Sequence, residues 1–196
     1  MNHLFYIMGK SASGKDSIYQ RLLRALPLKP VVLCTTRPMR AGERDGREYR
    51  FLTPAQYADM LRADCMIESR TYQTEAGEWC YGTAKDAADL RTGSYLAIGT
   101  LESYLPIRDY YGADAVIPIY IEVEDGLRLQ RALDRERRER SPRYTELCRR
   151  FLADTEDYSE AHLCAAGIPR RFQNLDLDAC TAEIQAYMQS AVSGAF

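Results

Sequence analysis

The sequence predicts an α/β fold on a parallel sheet, and three observations carry that expectation. Leu4-Phe5-Tyr6-Ile7-Met8 is a short apolar run that stops at a glycine-rich turn, after which Ile18, Leu22, Leu23 and Leu26 fall at helical spacing. Further apolar runs of strand length stand at 30–34, 95–99 and 115–121, with helical segments between them. Strands that alternate with helices form parallel βαβ units, whose strands are buried on both faces and so read as continuous apolar runs.

Composition sets the outer limits. At 196 residues, 46% hydrophobic and 28% charged, the chain has the make-up of one soluble domain with a sizeable core. A net charge of −2 argues against a nucleic-acid binder with a basic surface, and no apolar run approaches a membrane span. The opening residues run into a strand without a cleavage site, so the expectation is a cytoplasmic protein. Six scattered cysteines suggest reduced thiols rather than a zinc site or disulfide framework, and His3 and His162 alone leave little material for a histidine triad.

The first turn holds the densest information. Gly9-Lys10-Ser11-Ala12-Ser13-Gly14-Lys15 matches the phosphate-cradling P-loop, G-x-x-x-x-G-K, followed here by Asp16 and Ser17. Its glycines let the backbone wrap a diphosphate, and the first N–H groups of the helix point unpaired at the anion. Lys15 would reach the β- and γ-phosphates of ATP. The plain alternative is a glycine-rich strand-to-helix turn with an exposed lysine. Asp16 stands where a hydroxyl residue normally meets Mg²⁺; a carboxylate is also a hard oxygen ligand, tolerable beside a triphosphate only with the metal bound. Ser17 could supply the hydroxyl from a different direction, and Asp16 could equally be a first-turn acid favoured by the helix dipole.

Pro30 to Cys34 reads as a second strand. The stretch from Thr35 to Tyr49 is dense in arginine, with two glycines and a proline; such loops are either anion sites or solvated charged loops. Thr35-Thr36-Arg37-Pro38-x-Arg40-x-Gly42-Glu43-x-x-Gly46-x-x-Tyr49-x-Phe51 resembles the signature of guanylate kinases. Met66-Ile67-Glu68 and Tyr81-Gly82-Thr83 follow in that family's order. The resemblance implies a P-loop NTPase fold: a central parallel sheet flanked by helices, an inserted monophosphate-binding lobe at 35–85, a small lid at 135–149, and a core of 1–34, 86–134 and 150–196. It further implies that Arg37, Arg40, Tyr49 and Tyr81 hold the acceptor's phosphate, that Thr83 lines the same site, and that Glu68 accepts hydrogen bonds from a purine edge.

Beyond the lobe, Lys85 to Leu90 reads as a helix stopped at Thr92-Gly93, Tyr95 to Gly99 as a third strand, and Leu101 to Tyr111 as a helix ending at Gly112. Ala115 to Ile121 is a fourth strand. Asp125 to Arg135 is helical, the charged segment 135–143 is solvated, and a second helix runs from about Tyr144 to Ala165. By resemblance the lid lies here, with Arg131, Arg135 and Arg149 on the nucleotide phosphates; Arg150 is an equal register for the last, and an ion-paired helix hairpin is the bland reading. Arg171 to Asn174 is the last strand, with a helix from about Asp178 to Val192. Asn174 aligns with a position beside the adenine of ATP or serves turn chemistry.

Three positions depart from the family. Leu33 stands in place of a serine, and Ala97 and Gly99 in place of aspartates, so only Glu68 remains of the base-reading set. Gly14-Lys15-Asp16-Ser17, and Gly99 followed by a helix with Tyr104-Leu105-Pro106, resemble ribose 1,5-bisphosphate phosphokinase. The leading expectation is transfer from Mg-ATP to a nucleoside monophosphate, GMP first. A sugar-phosphate kinase and a non-catalytic guanylate-kinase-like interaction module are the alternatives. Expected partners are ATP and GMP or a related monophosphate, with no nucleic acid or membrane, in a monomer or homodimer.

Overall fold

The computed structural model describes residues 1–74 and 77–193. In chain order it contains β1 (Leu4–Met8), α1 (Lys15–Ala25), β2 (Lys29–Pro30), β3 (Leu33–Thr35), β4 (Tyr49–Phe51), α2 (Pro54–Arg62), β5 (Met66–Thr74) and β6 (Gly77–Ala84). There follow β7 (Tyr95–Ile98), α3 (Leu101–Tyr111), β8 (Val116–Glu122), α4 (Asp125–Glu136), α5 (Tyr144–Asp157), α6 (Glu160–Ala165), β9 (Arg171–Gln173) and α7 (Leu177–Ser193).

The central sheet runs β2-β7-β1-β8-β9, and every pairing in it is parallel. β1 sits in the middle and is buried along its whole length. Because alternate side chains of a strand point to opposite faces, its five residues divide between two cores. Leu4, Tyr6 and Met8 pack with Tyr104, Ile107 and Leu163 on one side, from α3 and α6. Phe5 and Ile7 pack with Ile18, Leu22, Ile184 and Met188 on the other, from α1 and α7. The apolar run is therefore continuous because both faces are covered.

The lobe is a second sheet of order β4-β3-β6-β5 with a small core of its own: Cys34, Tyr57, Met66 and Ala84. α2 starts with a reciprocal cap, in which Thr53 accepts from the Gln56 N–H and the Gln56 side chain accepts from the Thr53 N–H. None of the described helices is long and apolar enough to cross a membrane.

Three sequence expectations need correcting. The run Pro30–Cys34 is two strands in two sheets. Lys29 and Pro30 pair with β7 at the sheet edge, where a residue without an N–H is tolerated, and Leu33–Thr35 crosses into the lobe to pair with β4 and β6. Residues 85–90 form turns, not a helix. Ala87 N–H reaches back only to the Ala84 carbonyl, and the Ala88 carbonyl is taken by the Tyr111 hydroxyl at 3.1 Å. The helix expected over 144–165 breaks at Tyr158–Ser159, where the buried Tyr158 ring stacks on Tyr120 at 5.6 Å and Ser159 caps α6.

Candidate active site

The turn after β1 is held in a shape that needs its sequence. Gly14 has φ +88, and a Cβ there would overlap the Asn174 amide; Ala12 is left-handed at φ +63, which costs a non-glycine residue about 1 kcal/mol. Three elements buttress the loop. Asn174, just after β9, donates from Nδ2 to the Ser13 carbonyl at 2.7 Å. Lys10 pairs with Asp125 at the start of α4 at 3.2 Å. Asp154 of α5 accepts the Ser11 backbone N–H at 2.8 Å and the Arg128 guanidinium at 3.1 Å.

Arg128 is the keystone of these contacts, and sequence reasoning passed it over. It is 1% exposed, bridges Asp125 and Asp154, donates to the Ser11 carbonyl, and lies 4.1 Å over the Phe151 ring. Its three-residue spacing from Asp125 on one helix face was the available signal. Lys15, by contrast, has no hydrogen-bond or ion-pair partner among the described residues and stays half-buried at the head of α1. Asp16 and Ser17 are exposed on the same first turn.

The lobe carries its own cluster of tyrosines and arginines. Burial first, then Tyr81, raises the pKa of the Tyr49 phenol; Arg37 opposes this, while Glu43 and Asp16 of α1 add to it. Tyr49, Tyr81 and Tyr72 form a row of edge-on rings at 5.9 and 5.8 Å. Arg37 is buried beneath, forked onto Glu43 at 2.8 and 3.1 Å and lying over the Tyr49 and Phe51 rings at 5.3 and 5.5 Å. The hydrogen bond to Arg37 holds the Glu43 carboxyl below its ordinary range, and the same bond raises Arg37. The Arg40 guanidinium has no partner among the described residues, although its backbone N–H donates to Glu43 at 2.7 Å.

Glu68 is already engaged. Thr83 donates to one carboxylate oxygen at 2.6 Å and Arg70 Nε to the other at 2.9 Å, while Arg70 Nη1 reaches Thr100 at 3.0 Å. The positions that depart from the family pattern lie close by. Ala97 is buried, and a Cβ at Gly99 would overlap the Tyr6 hydroxyl, which bonds Ser103 at 2.6 Å. Burial pushes the Tyr6 phenol far up, so it stays a neutral donor.

On the lid side, α4 and α5 enclose a cavity of about 120 Å³ lined by Ser11, Arg128, Arg135, Arg143 and Arg150 among others. Arg135 and Arg143 carry no acid partner on their side chains among the described residues. Arg150 pairs with Glu146 at 2.7 Å. Arg149 also pairs with Glu146 but lies outside that lining, so of the two registers Arg150 faces the cleft. Arg131 donates to the Asn174 carbonyl at 3.1 Å, close to the loop rather than across it.

Taken together, a parallel sheet with β1 running into a glycine turn and a helix, flanked by helices on both faces, is the fold of a P-loop NTPase. Comparison with known proteins narrows the class. The guanylate kinase family model matches residues 1–89. The guanylate kinase of Bordetella pertussis is 37% identical over 91 residues, which is 46% of this chain and 40% of that protein. That of Gloeobacter violaceus is 38% identical over 86 residues, 43% of this chain and 40% of that protein. The match therefore spans well under half the length of either relative. The crystal structure of guanylate kinase from Anaplasma phagocytophilum superposes with a TM-score of 0.68 at 15% identity, covering 96% of this chain and 85% of that one. The chain is thus similar to guanylate kinases in sequence over residues 1–89, and shares the fold of one over nearly its whole length.

Proposed function

We propose that this chain transfers the γ-phosphoryl of Mg-ATP to the phosphate of a nucleoside monophosphate, with GMP the first acceptor to test. What supports the reading is a glycine turn with an open lysine in the same chain as a lobe where arginines and tyrosines cluster. Lys15 at the head of α1 has no hydrogen-bond or ion-pair partner among the described residues, and in the lobe Arg37 lies over Tyr49, which packs edge-on to Tyr81. Similarity over residues 1–89 to proteins named guanylate kinase supports it.

The acceptor is a phosphate monoester whose oxygen is already anionic near neutral pH, so no general base is needed. Catalysis is then positioning and charge neutralisation. Lys15 would hold the β- and γ-phosphates, joined by the loop N–H groups of Ala12 and Gly14, while Gly9, Ser11 and Ser13 shape the turn, the Ser11 N–H held by Asp154 and the Ser13 N–H by the Lys10 carbonyl. Arg135 and Arg150, with Arg131 and Arg149 further out, would bring charge to the transferring group. Arg40, Tyr49 and Tyr81 would grip the acceptor phosphate, with Arg37 fixed by Glu43 as their support. Closure of lobe 35–85 and lid 135–149 on the core would exclude water.

Asp16 and Ser17 fit a Mg²⁺ ion. Both are exposed hard-oxygen donors at the head of α1, and Mg²⁺ usually takes one or two protein oxygens beside substrate phosphates. The ion would supply charge neutralisation on the triphosphate. A coupled ADP-release assay with ATP, Mg²⁺ and GMP checks the whole reading. Turnover is expected in the native chain, with a loss of about 10³ or more in kcat for Lys15→Ala. Near-normal kcat in that variant would reject the loop assignment.

A further inference from the structure

Both polar backbone groups of Ser11 are held, by two side chains that also hold each other. The Ser11 N–H donates to Asp154 of α5 at 2.8 Å, and the Ser11 carbonyl accepts from Arg128 of α4 at 3.4 Å. The same Arg128 nitrogen donates to the same Asp154 oxygen at 3.1 Å. At its other edge the guanidinium donates to Asp125 at 3.0 and 3.1 Å, and its face lies on the Phe151 ring. The rigid fork is thus fixed at both edges and on one face.

The consequence falls on the next residue. The Ser11 carbonyl and the Ala12 N–H belong to one planar peptide unit, and no peptide bond among the described residues is cis, so the two groups point in opposite directions. Holding the carbonyl on Arg128 therefore aims the Ala12 N–H away from that guanidinium, and this N–H has no acceptor among the described residues. Ala12 is left-handed at φ +63, a conformation that an alanine keeps only where its surroundings impose it. On the other side of Ser11, the Lys10 carbonyl accepts the Ser13 N–H at 3.2 Å and closes the turn.

We propose that Asp154 and Arg128 are positioning residues for the donor nucleotide: they clamp Ser11 so that the Ser11–Ala12 peptide cannot turn over, and the Ala12 N–H stays open to a phosphate oxygen. A turned peptide would put a carbonyl oxygen where the phosphate oxygen belongs, replacing attraction by repulsion. One clamp residue sits on each of the two helices that flank the lid, so the base of the lid and the shape of the loop form one assembly. Arg150, one turn before Asp154 on the same face of α5, is thereby held beside the cavity that Ser11 lines. The inference rests on the reading of this loop as an ATP site, which is part of the phosphotransfer reading above.

Two measurements test it. In the native chain, amide hydrogen exchange should find Ser11 protected with or without Mg-ADP, and Ala12 protected only with it. A Ser11 amide that exchanges like an open loop, or an Ala12 amide that Mg-ADP leaves unprotected, overturns the proposal without any variant. Titration calorimetry with Mg-ATP and with GMP then compares the native chain, Asp154→Ala and Asp154→Asn. Asp154→Ala should bind Mg-ATP at least about tenfold more weakly, with GMP affinity within about twofold of native. Asp154→Asn keeps an oxygen that accepts from Ser11 and should return Mg-ATP affinity to within about threefold of native. Mg-ATP affinity unmoved in Asp154→Ala, equal losses for ATP and GMP, or no recovery in Asp154→Asn would each overturn it. A native chain that binds Mg-ATP yet phosphorylates no monophosphate would reject the phosphotransfer reading and leave the clamp standing, whereas one that binds no Mg-ATP would reject both.

Discussion

The two proposed anion sites are built on opposite plans. At the P-loop, the charged groups that would meet phosphate are left open: Lys15 and Arg135 have no acid partner among the described residues, while the loop itself is pinned by Asn174, Asp125 and Asp154. In the lobe, the groups that would meet the acceptor are largely spoken for, Arg37 by Glu43 and Glu68 by Arg70. The donor site is a rigid frame around free cations. The acceptor site is a set of internal ion pairs with a few open edges, chiefly Arg40 and the Tyr49–Tyr81 row. A ligand meets preorganised charge in the first and must fit around existing bonds in the second. Under the proposed function, discrimination would belong to the lobe and rate to the loop.

That contrast can be broken at its frame. Arg128→Ala removes the buried cation between Asp125 and Asp154 and should destabilise the fold by about 2–3 kcal/mol, because Asp154 keeps only the Ser11 N–H and Asp125 only Lys10 inside the loop's support. Denaturant unfolding measures this, and a change below about 1 kcal/mol would mean the loop is held by its backbone alone.

Arg40→Ala probes the open edge of the lobe. It should raise the acceptor KM by about tenfold with kcat and stability little changed, since this side chain has no internal bond to lose. Arg37→Ala should differ in kind: it strands Glu43 and costs stability as well as binding. Steady-state kinetics beside thermal melts distinguishes the two, and identical behaviour would erase the distinction between open and engaged arginines.

The smallest effect is expected on the lid. Hydrogen bonds from Arg149, more than offsetting partial burial, and from Arg150 hold the Glu146 carboxyl down at about 2. A depressed carboxylate contributes stability that is present above its unfolded pKa, near 4.5, and lost as pH falls toward 2. Glu146→Gln should therefore flatten the acid limb between those pH values and cost no more than about 0.5–1 kcal/mol at pH 7. Acid titration followed by circular dichroism reads both.

How far the sequence disclosed this molecule follows from the range of the forces involved. Leu4–Met8, the glycine turn and α1 were legible because strand, turn and helix signals are local and mutually consistent. The split of 30–34 was not, because Pro30 and Leu33 choose partners in different sheets, at Leu96 and Tyr49. Residues 85–90 carry helix-forming alanines, yet a hydrogen bond from Tyr111 to the Ala88 carbonyl holds them in turns. Within the candidate site, the proposed residues stand out in the sequence by type and spacing, whereas the partners that hold them do not. Asp154 lies 143 residues from the Ser11 N–H it caps. Arg70 was within reach, two residues from Glu68 on one strand face, but only the motif position drew notice.

The central claim is that two phosphate sites face each other across one cleft. A bisubstrate analogue, adenosine and guanosine joined by five phosphates, measures it directly by titration calorimetry. Spanning both sites should bind it at least about a hundredfold more tightly than ATP or GMP alone, with that gain lost in both Lys15→Ala and Arg40→Ala. Affinity no better than that of ATP, or a gain that survives both substitutions, would contradict the account.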